Sequence, residues 1–504
     1  MTEDSQLQTH LIVIGAGGAG LAAALAAAEE GCKDVIVIEK TAAPGGNTAL
    51  GGGLFAVESP LHKAEGIATS RDDTYRSATQ WAHWKNDPRV VRAYVDKSGD
   101  TIRWLSEKGL GFRLHVLYPG QSPALWHMTS GTELIKALRR HCERAGIRLL
   151  THTVATKLAM TAGGHVAGVE AVSEGRSLAI TGGCVVLATG GFGGSRQLLR
   201  RFVPGYKESV NYVGRARNVG EGLMLAEGVG AAVDDQVALL FEGPSTSISR
   251  KFCLTTDPPR DVPGIVGAIL RSLGNLAKLR FVVWVNKVGR RFTSESVYPI
   301  DMACGHQILR QPDGVCFAVF DDKIRQLIED RGLIASIGAN MGPVRVPALR
   351  SQLERFQGFG AATIADSWAD VAGWIGADPS VLTGEIDEYN EACDCGYDAV
   401  FLKDRQYLLP LRTPPFYAIR CHTLLMDTLG GIRVDEKMKV LDRQGRPIPG
   451  LYAAGVCAGG LLGDLYNYDL PGSAQGFAIN SGRIAGENAA AYIAADNTKN
   501  SRQS

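Results

Sequence analysis

Apolar residues in this chain form short continuous runs near the N-terminus and looser, helix-like spacings further on. Leu11-Ile-Val-Ile14, closed by Gly15, has the pattern of a buried strand. An Ala/Leu-rich stretch from Leu21 to about Glu30 predicts a helix, with Gly31 as its stop. Val35-Ile-Val-Ile38 is a second buried strand ending at Glu39. Strand, glycine turn, helix and strand make one βαβ unit with a right-handed crossover. Val91, Tyr94, Val95, Ile102 and Leu105 predict a helix over 89–108, and residues 133–145 repeat the pattern before Gly146. Residues 153–181 alternate apolar and polar, with turns at Gly163-Gly164 and Glu174-Gly175, as in a small antiparallel meander. Val185-Val-Leu-Ala188 then reads as a third parallel-type strand.

The texture changes near Glu242, where Pro244, Pro258, Pro259 and Pro263 break the pattern, and it returns to a glycine-rich α/β style near Leu429. This predicts one domain built from 9–242 and 425–495, interrupted by a capping or substrate domain at 243–424, with a disordered tail at 496–504. The closing part carries a strand-turn-strand around Asp442 to Gly445, a strand at Leu451 to Ala454 and a helix over about 473–492.

A length of 504 residues exceeds what one core usually serves, which agrees with two domains. The 53 basic and 52 acidic residues nearly cancel, so the charge gives no case for nucleic acid or an anionic membrane surface. Ten cysteines are scattered, and Cys393-x-Cys395 is tighter than common zinc spacings, so they read as free thiols of a reducing compartment. No CxxCH is present to attach a c-type haem. Residues 1–10 are polar without the basic region of a signal peptide, and glycines interrupt the apolar stretch Leu11 to Ala28, so no membrane span is expected. The expected compartment is the cytoplasm.

Gly15-x-Gly17-x-x-Gly20 lies between the first strand and the helix. The first glycine permits a tight turn, the second admits a pyrophosphate to the backbone, and the third lets helix and strand touch. The helix N-terminus offers N–H groups and partial positive charge to phosphate, and Glu39 can accept from a ribose hydroxyl. Leu187-Ala-Thr-Gly-Gly191 and Gly450-Leu-Tyr-Ala-Ala-Gly455 add two more glycine-rich segments. Three segments converging on one dinucleotide favour FAD over NAD.

These pieces resemble the fumarate reductase/succinate dehydrogenase flavoprotein-like superfamily, which includes the 3-ketosteroid dehydrogenases. The resemblance runs from about 10 to 490. It rests on Glu39-Lys40 before Gly45-Gly-Asn-Thr48 and Gly51-Gly-Gly53, on Ala188-Thr-Gly-Gly-Phe192, and on Gly220-Glu-Gly222. Asn286 to Phe292 with Glu295, Thr428-Leu-Gly-Gly431, Gly450 to Gly455 and Gly482-Arg-Ile-Ala-Gly486 complete it. It implies an α/β fold, a Rossmann-like FAD-binding domain with an inserted α+β capping domain, and an active site between the two.

The implied cofactor contacts are Gly15, Gly17, Gly18, Ala19, Gly20, Glu39, Lys40, Gly45, Gly46, Asn47, Thr48, Gly52, Gly53 and Val154, then Ala188, Thr189, Gly190, Gly455, Gly472, Ser473 and Ala474. Asn47 and Thr48 are expected near the isoalloxazine and Gly472-Ser-Ala474 at its pyrimidine side. Family members with covalent flavin carry Ser-His-Thr where this chain has Glu39-Lys-Thr41, so FAD is expected to be non-covalent. Val456 replaces a Glu or Asn common after Ala-Ala-Gly.

A fumarate reductase needs cationic clamps for two carboxylates. Aligned with that pattern, this chain has Pro299, Asp427 and Asp469 in place of an arginine, a histidine and an arginine. The ketosteroid dehydrogenase pattern fits better, with Tyr298 after Glu295-Ser-Val, and Tyr466-Asn-Tyr468 before Pro471-Gly472; Tyr118 is a further candidate. One tyrosine acts as acid or base at carbon and another polarises a carbonyl, while hydride passes to or from flavin N5. A packing role is open for each. Asp427 reads more readily as an acceptor for backbone N–H groups than as a base, and His127 as a satisfied buried histidine. Arg215 and Arg217 are open to solvent, FAD or an anion. Trp81, His83 and Trp84 fall on a predicted helix as core or cap contacts.

The expected activity is oxidation or reduction of a CH–CH/C=C bond beside a carbonyl in a fairly apolar small molecule, with an unidentified electron partner. The alternatives are a fumarate- or urocanate-reductase-like enzyme and an electron-transfer subunit.

Overall fold

The computed structural model describes residues 5–116, 123–214, 217–235, 237–246, 251, 253–255, 272–297, 301–332 and 345–503. In chain order, the elements that build the site are β1 (Leu11–Ile14), α1 (Gly18–Glu29), β2 (Val35–Ile38), β3 (Arg148–Leu150), β4 (Cys184–Leu187), β5 (Ala238–Ser245), the short helix α2 (Gly274–Ala277), β6 (Val315–Asp321), β7 (Phe416–Leu429), β8 (Lys439–Leu441), β9 (Pro447–Ala453) and α3 (Ser473–Gln503).

The first sheet runs β8-β9-β4-β1-β2-β3. Its members are parallel except for the β8/β9 hairpin, and Ile14 stands beside both Leu187 and Ile38. Every residue of β1, β2 and β4 is buried, because helices cover one face and other structure the other. Helix α3 lies directly on α1. A Cβ on Gly482 would fall 2.3 Å from the Ala19 carbonyl oxygen, and one on Gly486 2.1 Å from that of Ala23. The meander forms over Thr153–Met160, Val166–Ser173 and Arg176–Thr181, and Ser5–Gln8 adds a parallel strand to its edge.

A second, mainly antiparallel sheet is organised on β7, which pairs with both β5 and β6. A separate hydrophobic core between Leu254 and Cys421 packs against it. Strands β5 and β7 run out of this unit and into the wall of the first.

Two expectations are corrected. The terminal helix continues to Gln503 rather than giving way to a disordered tail at 496, since no Gly or Pro interrupts the polar stretch. His83 and Trp84 lie beyond a helix that ends at Trp81; both have positive φ, and Trp84 is 61% exposed. Among the described residues no helix is long and apolar enough to cross a membrane, and no His/Cys/Asp/Glu group could hold a metal.

Candidate functional site

The glycine turn opens at the C-terminal ends of β1 and β4. Gly15 has φ +105°, and a Cβ there would meet the Ala188 carbonyl oxygen at 2.4 Å. Gly20 faces back onto the same turn, where a Cβ would lie 1.8 Å from the Gly15 oxygen, so α1 starts as close to the strand as backbone allows. Gly17 caps α1 without a side-chain hydrogen bond. The helix N-terminus is therefore presented to the space beside it, the arrangement that favours phosphate. Gly18 N donates to Thr48 Oγ1 at 3.2 Å, tying the turn to the 310 turn Asn47–Leu50.

A cavity of about 290 Å³ runs past this turn. All the predicted cofactor contacts line it except Gly20, Gly45 and Ser473. Gly20 serves the helix–strand approach just described. Gly45 bridges Gly17, its N–H donating to the Ala16 carbonyl at 2.9 Å. Ser473 is buried at the start of α3.

At one end the Glu39 carboxylate accepts from Ala16 N (3.0 Å) and Thr41 N (2.9 Å), which fixes it at the tip of β2. Lys40 pairs with Glu221 and donates to the Arg217 carbonyl. At the other end the wall is made by Leu240, Glu242, Met426, Asp427, Val456 and Tyr466. Leu240, Val456, Tyr466, Ala238 and Leu429 form a small apolar cluster there. Asp427 Oδ2 accepts from Asn47 Nδ2 at 2.9 Å, and Oδ1 from Thr428 N at 3.0 Å. Burial nevertheless pushes its carboxyl up to about 6. Asn47 also donates to the Tyr212 hydroxyl at 3.2 Å. Tyr466 is buried, its oxygen accepts from Ala474 N at 3.3 Å, and burial raises its phenol.

The tyrosines divide. Tyr466 reaches the cavity, whereas Tyr468 packs edge-on against Trp81 with ring centroids 4.5 Å apart and is not part of the lining. Tyr118, Tyr298, Pro299 and Arg215 lie outside the described residues. Asp469 accepts from Ser77 Oγ at 3.5 Å and does not line the cavity. Arg217 lines it, but at the Lys40 end. His127 is buried, with Nε2 2.7 Å from Ser59 Oγ, and burial holds it down at about 3. Glu295 is buried among Arg291, Asp398 and Lys403. Cys393 and Cys395 are free thiols on the helix Pro379–Cys395.

Sequence reasoning missed Glu242, which lines the cavity from inside β5. The available signal was a single carboxylate within the apolar run Ala238-Leu-Leu-Phe-Glu-Gly. Gln475, whose Oε1 accepts from Gly53 N at 3.3 Å, and Trp126 were also missed.

A glycine cradle at a helix N-terminus, an acid at the tip of the next strand and a long cleft leading to a second sheet define a dinucleotide-cofactor oxidoreductase. The chain belongs to the FAD-binding domain family, which it matches over residues 10–468. It is 30% identical over 491 residues to the vinyl phenol reductase of Lactiplantibacillus plantarum, covering 96% of each chain. A flavocytochrome c3 fumarate reductase structure superposes with a TM-score of 0.72 at 25% identity, over 97% of this chain and 79% of that one. The 3-ketosteroid Δ1-dehydrogenase of Sterolibacterium denitrificans shares the fold, with a TM-score of 0.76 at 20% identity over 96% and 99% of the two chains. The chain is thus an FAD-dependent oxidoreductase of a family acting on C=C and CH–CH groups. The turn fits FAD: the space beside α1 is one that Cβ atoms at Gly15 and Gly18 would disrupt, since a Cβ on Gly18 would stand 2.6 Å from Thr48 Oγ1.

Proposed function

We propose that this enzyme reduces a carbon–carbon double bond in a small, neutral and largely apolar molecule, activated by an oxygen function such as a ketone or a phenol. One observation carries the reading. At the end of the cavity away from Glu39, the described ionisable lining groups are Asp427, Glu242 and Tyr466. The cationic lining residues, Lys40 and Arg217, stand together at the opposite end, where Lys40 is paired with Glu221. With Glu242 neutralised by Lys278, this end is an apolar wall carrying the Asp427 carboxyl and, among the described residues, no unpaired lining cation, so it offers nothing to clamp a dicarboxylate and suits a neutral ligand that donates or accepts hydrogen bonds. The similarity to vinyl phenol reductase along nearly the whole of both chains supports the same choice and favours reduction over dehydrogenation.

FAD would be held without a covalent bond, the Gly15–Gly20 turn taking its diphosphate and Glu39 its ribose. When bound and reduced it supplies a hydride. Residues 243–424 act as the lid over the reacting end, and Leu240, Val456 and Met426 keep water from it. Tyr466 gives its hydroxyl proton as a hydrogen bond to the substrate oxygen, and Asp427, held by Asn47, accepts from a substrate hydroxyl. Tyr468 steadies this segment through Trp81.

The test is anaerobic turnover of the FAD-loaded protein with a reduced viologen, offered 4-vinylphenol, cyclohex-2-enone, fumarate and urocanate in turn. Oxidation of the dye is expected with the neutral alkenes. Turnover confined to the two carboxylates would replace this reading with a fumarate- or urocanate-reductase-like activity. Flavin that cycles with none of them but passes electrons to a partner protein would make the chain an electron-transfer subunit.

A further inference from the structure

Glu242 is an acid in a place that the binding of FAD does not explain. It interrupts the apolar run of β5, is fully buried and still lines the cavity two residues after Leu240. A carboxylate taken out of water costs several kcal/mol unless a partner compensates it. Its partner is Lys278, itself only 4% exposed, which forms an ion pair with Glu242 Oε1. Backbone packing sets that meeting. Gly274, the first residue of α2, donates its N–H to Thr246 Oγ1 at 3.0 Å, and a Cβ there would lie 2.5 Å from Thr246 N. The short helix is therefore pressed against the chain just beyond β5, and Lys278 follows directly after it. The second carboxylate oxygen, Oε2, is buried with no hydrogen-bond partner among the described residues. A buried, unpartnered carboxylate oxygen on a residue that lines a cavity is a position for a ligand or for a proton in transit.

Alkene reduction needs such a proton, because hydride reaches only one of the two carbons. Asp427 is occupied as an acceptor by Asn47 and Thr428 N. We propose that Glu242 is the acid that protonates the substrate carbon, and that Lys278 holds the proton that recharges it; this rests on the reading of the site as an alkene reductase. The Lys278 ammonium passes its proton to the Glu242 carboxylate, the π electrons of the double bond form a C–H bond with that carboxyl proton, and the other carbon accepts the hydride supplied by reduced FAD. The products are the saturated molecule, oxidised FAD and a Glu242 carboxylate. The Lys278 amine then takes a proton from solvent, which restores the ion pair.

The test uses photoreduced FAD-loaded protein and whichever probe alkene the wild type reduces. Flavin reoxidation is followed on mixing, and the affinity of the oxidised protein for the saturated product is measured separately from the flavin spectrum. Glu242→Gln is expected to slow reoxidation by about 10²–10⁴-fold, to leave product affinity within about threefold, and to erase the facial selectivity of deuterium taken from D₂O. Glu242→Asp is expected to restore at least about tenfold. Should Glu242→Gln fail to hold FAD, Glu242→Gln/Lys278→Met removes both charges and faces the same comparison. Lys278→Met is expected to lower kcat about tenfold with KM little changed, and Lys278→Arg to recover it. Reoxidation within about threefold of wild type, or a loss of affinity as large as the loss of rate, would overturn the assignment of Glu242. A rise in KM in place of the fall in kcat would overturn that of Lys278. If the wild type reduces only fumarate-type acids, the proposed substrate class fails, and the same variants run on fumarate still decide the proton donor.

Discussion

Asp427 sits where burial and hydrogen bonding pull in opposite directions, and burial wins. Its carboxyl is pushed up to about 6 although Asn47 and Thr428 N both donate to it. The folded chain therefore holds this proton more tightly than the unfolded chain does. The resulting stability is fully present below about pH 4, the unfolded value, and is lost as pH rises through 6. Asp427→Asn keeps an acceptor for Asn47 and removes the ionisation. FAD-free Asp427→Asn protein is expected to match wild type near pH 4 and to exceed it at pH 8 by on the order of 2–3 kcal/mol, read from denaturation midpoints at the two pH values. Equal differences at both would show that Asp427 does not titrate on folding. The same residue sets a ligand dependence: a charged Asp427 accepts from a phenol, so affinity for 4-ethylphenol is expected to rise between pH 5 and 7 in wild type and to stay flat in Asp427→Asn.

Tyr466 differs from Tyr468 in the same local segment. Tyr466 is in the cavity wall and Tyr468 against Trp81. Tyr466→Phe is expected to lower kcat by about 10²-fold, on the scale of losing one donor to a developing negative charge, while the yellow colour is retained. Tyr468→Phe keeps the ring contact and is expected to fall by less than about threefold. Steady-state rates of the two variants settle which tyrosine the substrate meets.

The turn over 286–297 is held by a buried ionic group. Arg291 reaches Glu295 at 3.1 Å and Asp398 at 2.9 Å, Lys403 reaches Glu295 at 3.2 Å, and Glu295 Oε1 accepts from Trp284 N at 3.0 Å. Cutting one acid from such a group strands cations away from water. Glu295→Ala is expected to cost about 3–5 kcal/mol in urea denaturation, and an undiminished midpoint would show that solvent reaches the pair. The sequence was most readable where an element is buried on both sides. Leu11–Ile14 and Val35–Ile38 appear with the boundaries their apolar runs predict, because a parallel strand in mid-sheet leaves no polar position. Ser5–Gln8 pairs along one edge through its backbone, and its polar composition gave no warning. The end of α3 was hidden for the opposite reason, since polar residues without Gly or Pro extend a helix as readily as they form a tail. Glycine spacing disclosed the nucleotide end of the site. The reacting end depends on partners distant in sequence, Asn47 with Asp427 and Glu242 with Lys278, and no local pattern encodes such pairs.

At the scale of the whole molecule, two hydrophobic cores are linked through β5 and β7, and the small apolar cluster of Ala238, Leu429, Val456 and Tyr466 lies at the site. One carries the glycine turn, the other lies between Leu254 and Cys421, and β5 and β7 contribute side chains to the cavity where they cross from one to the other. A ligand that binds only the folded state stabilises it by mass action, about 2.7 kcal/mol at a hundredfold excess over Kd. The predicted FAD contacts all belong to segments outside 243–424, so FAD should stabilise the first core directly and the second only through β5 and β7. Calorimetry of the stripped protein is expected to show two transitions, of which added FAD raises one by several degrees and leaves the other nearly fixed. A single transition that moves as a whole would mean that β5 and β7 weld the cores into one cooperative unit. Residues 243–424 would then be unable to move as a body without loosening the FAD site, and substrate entry would have to occur through local fraying of the cavity wall.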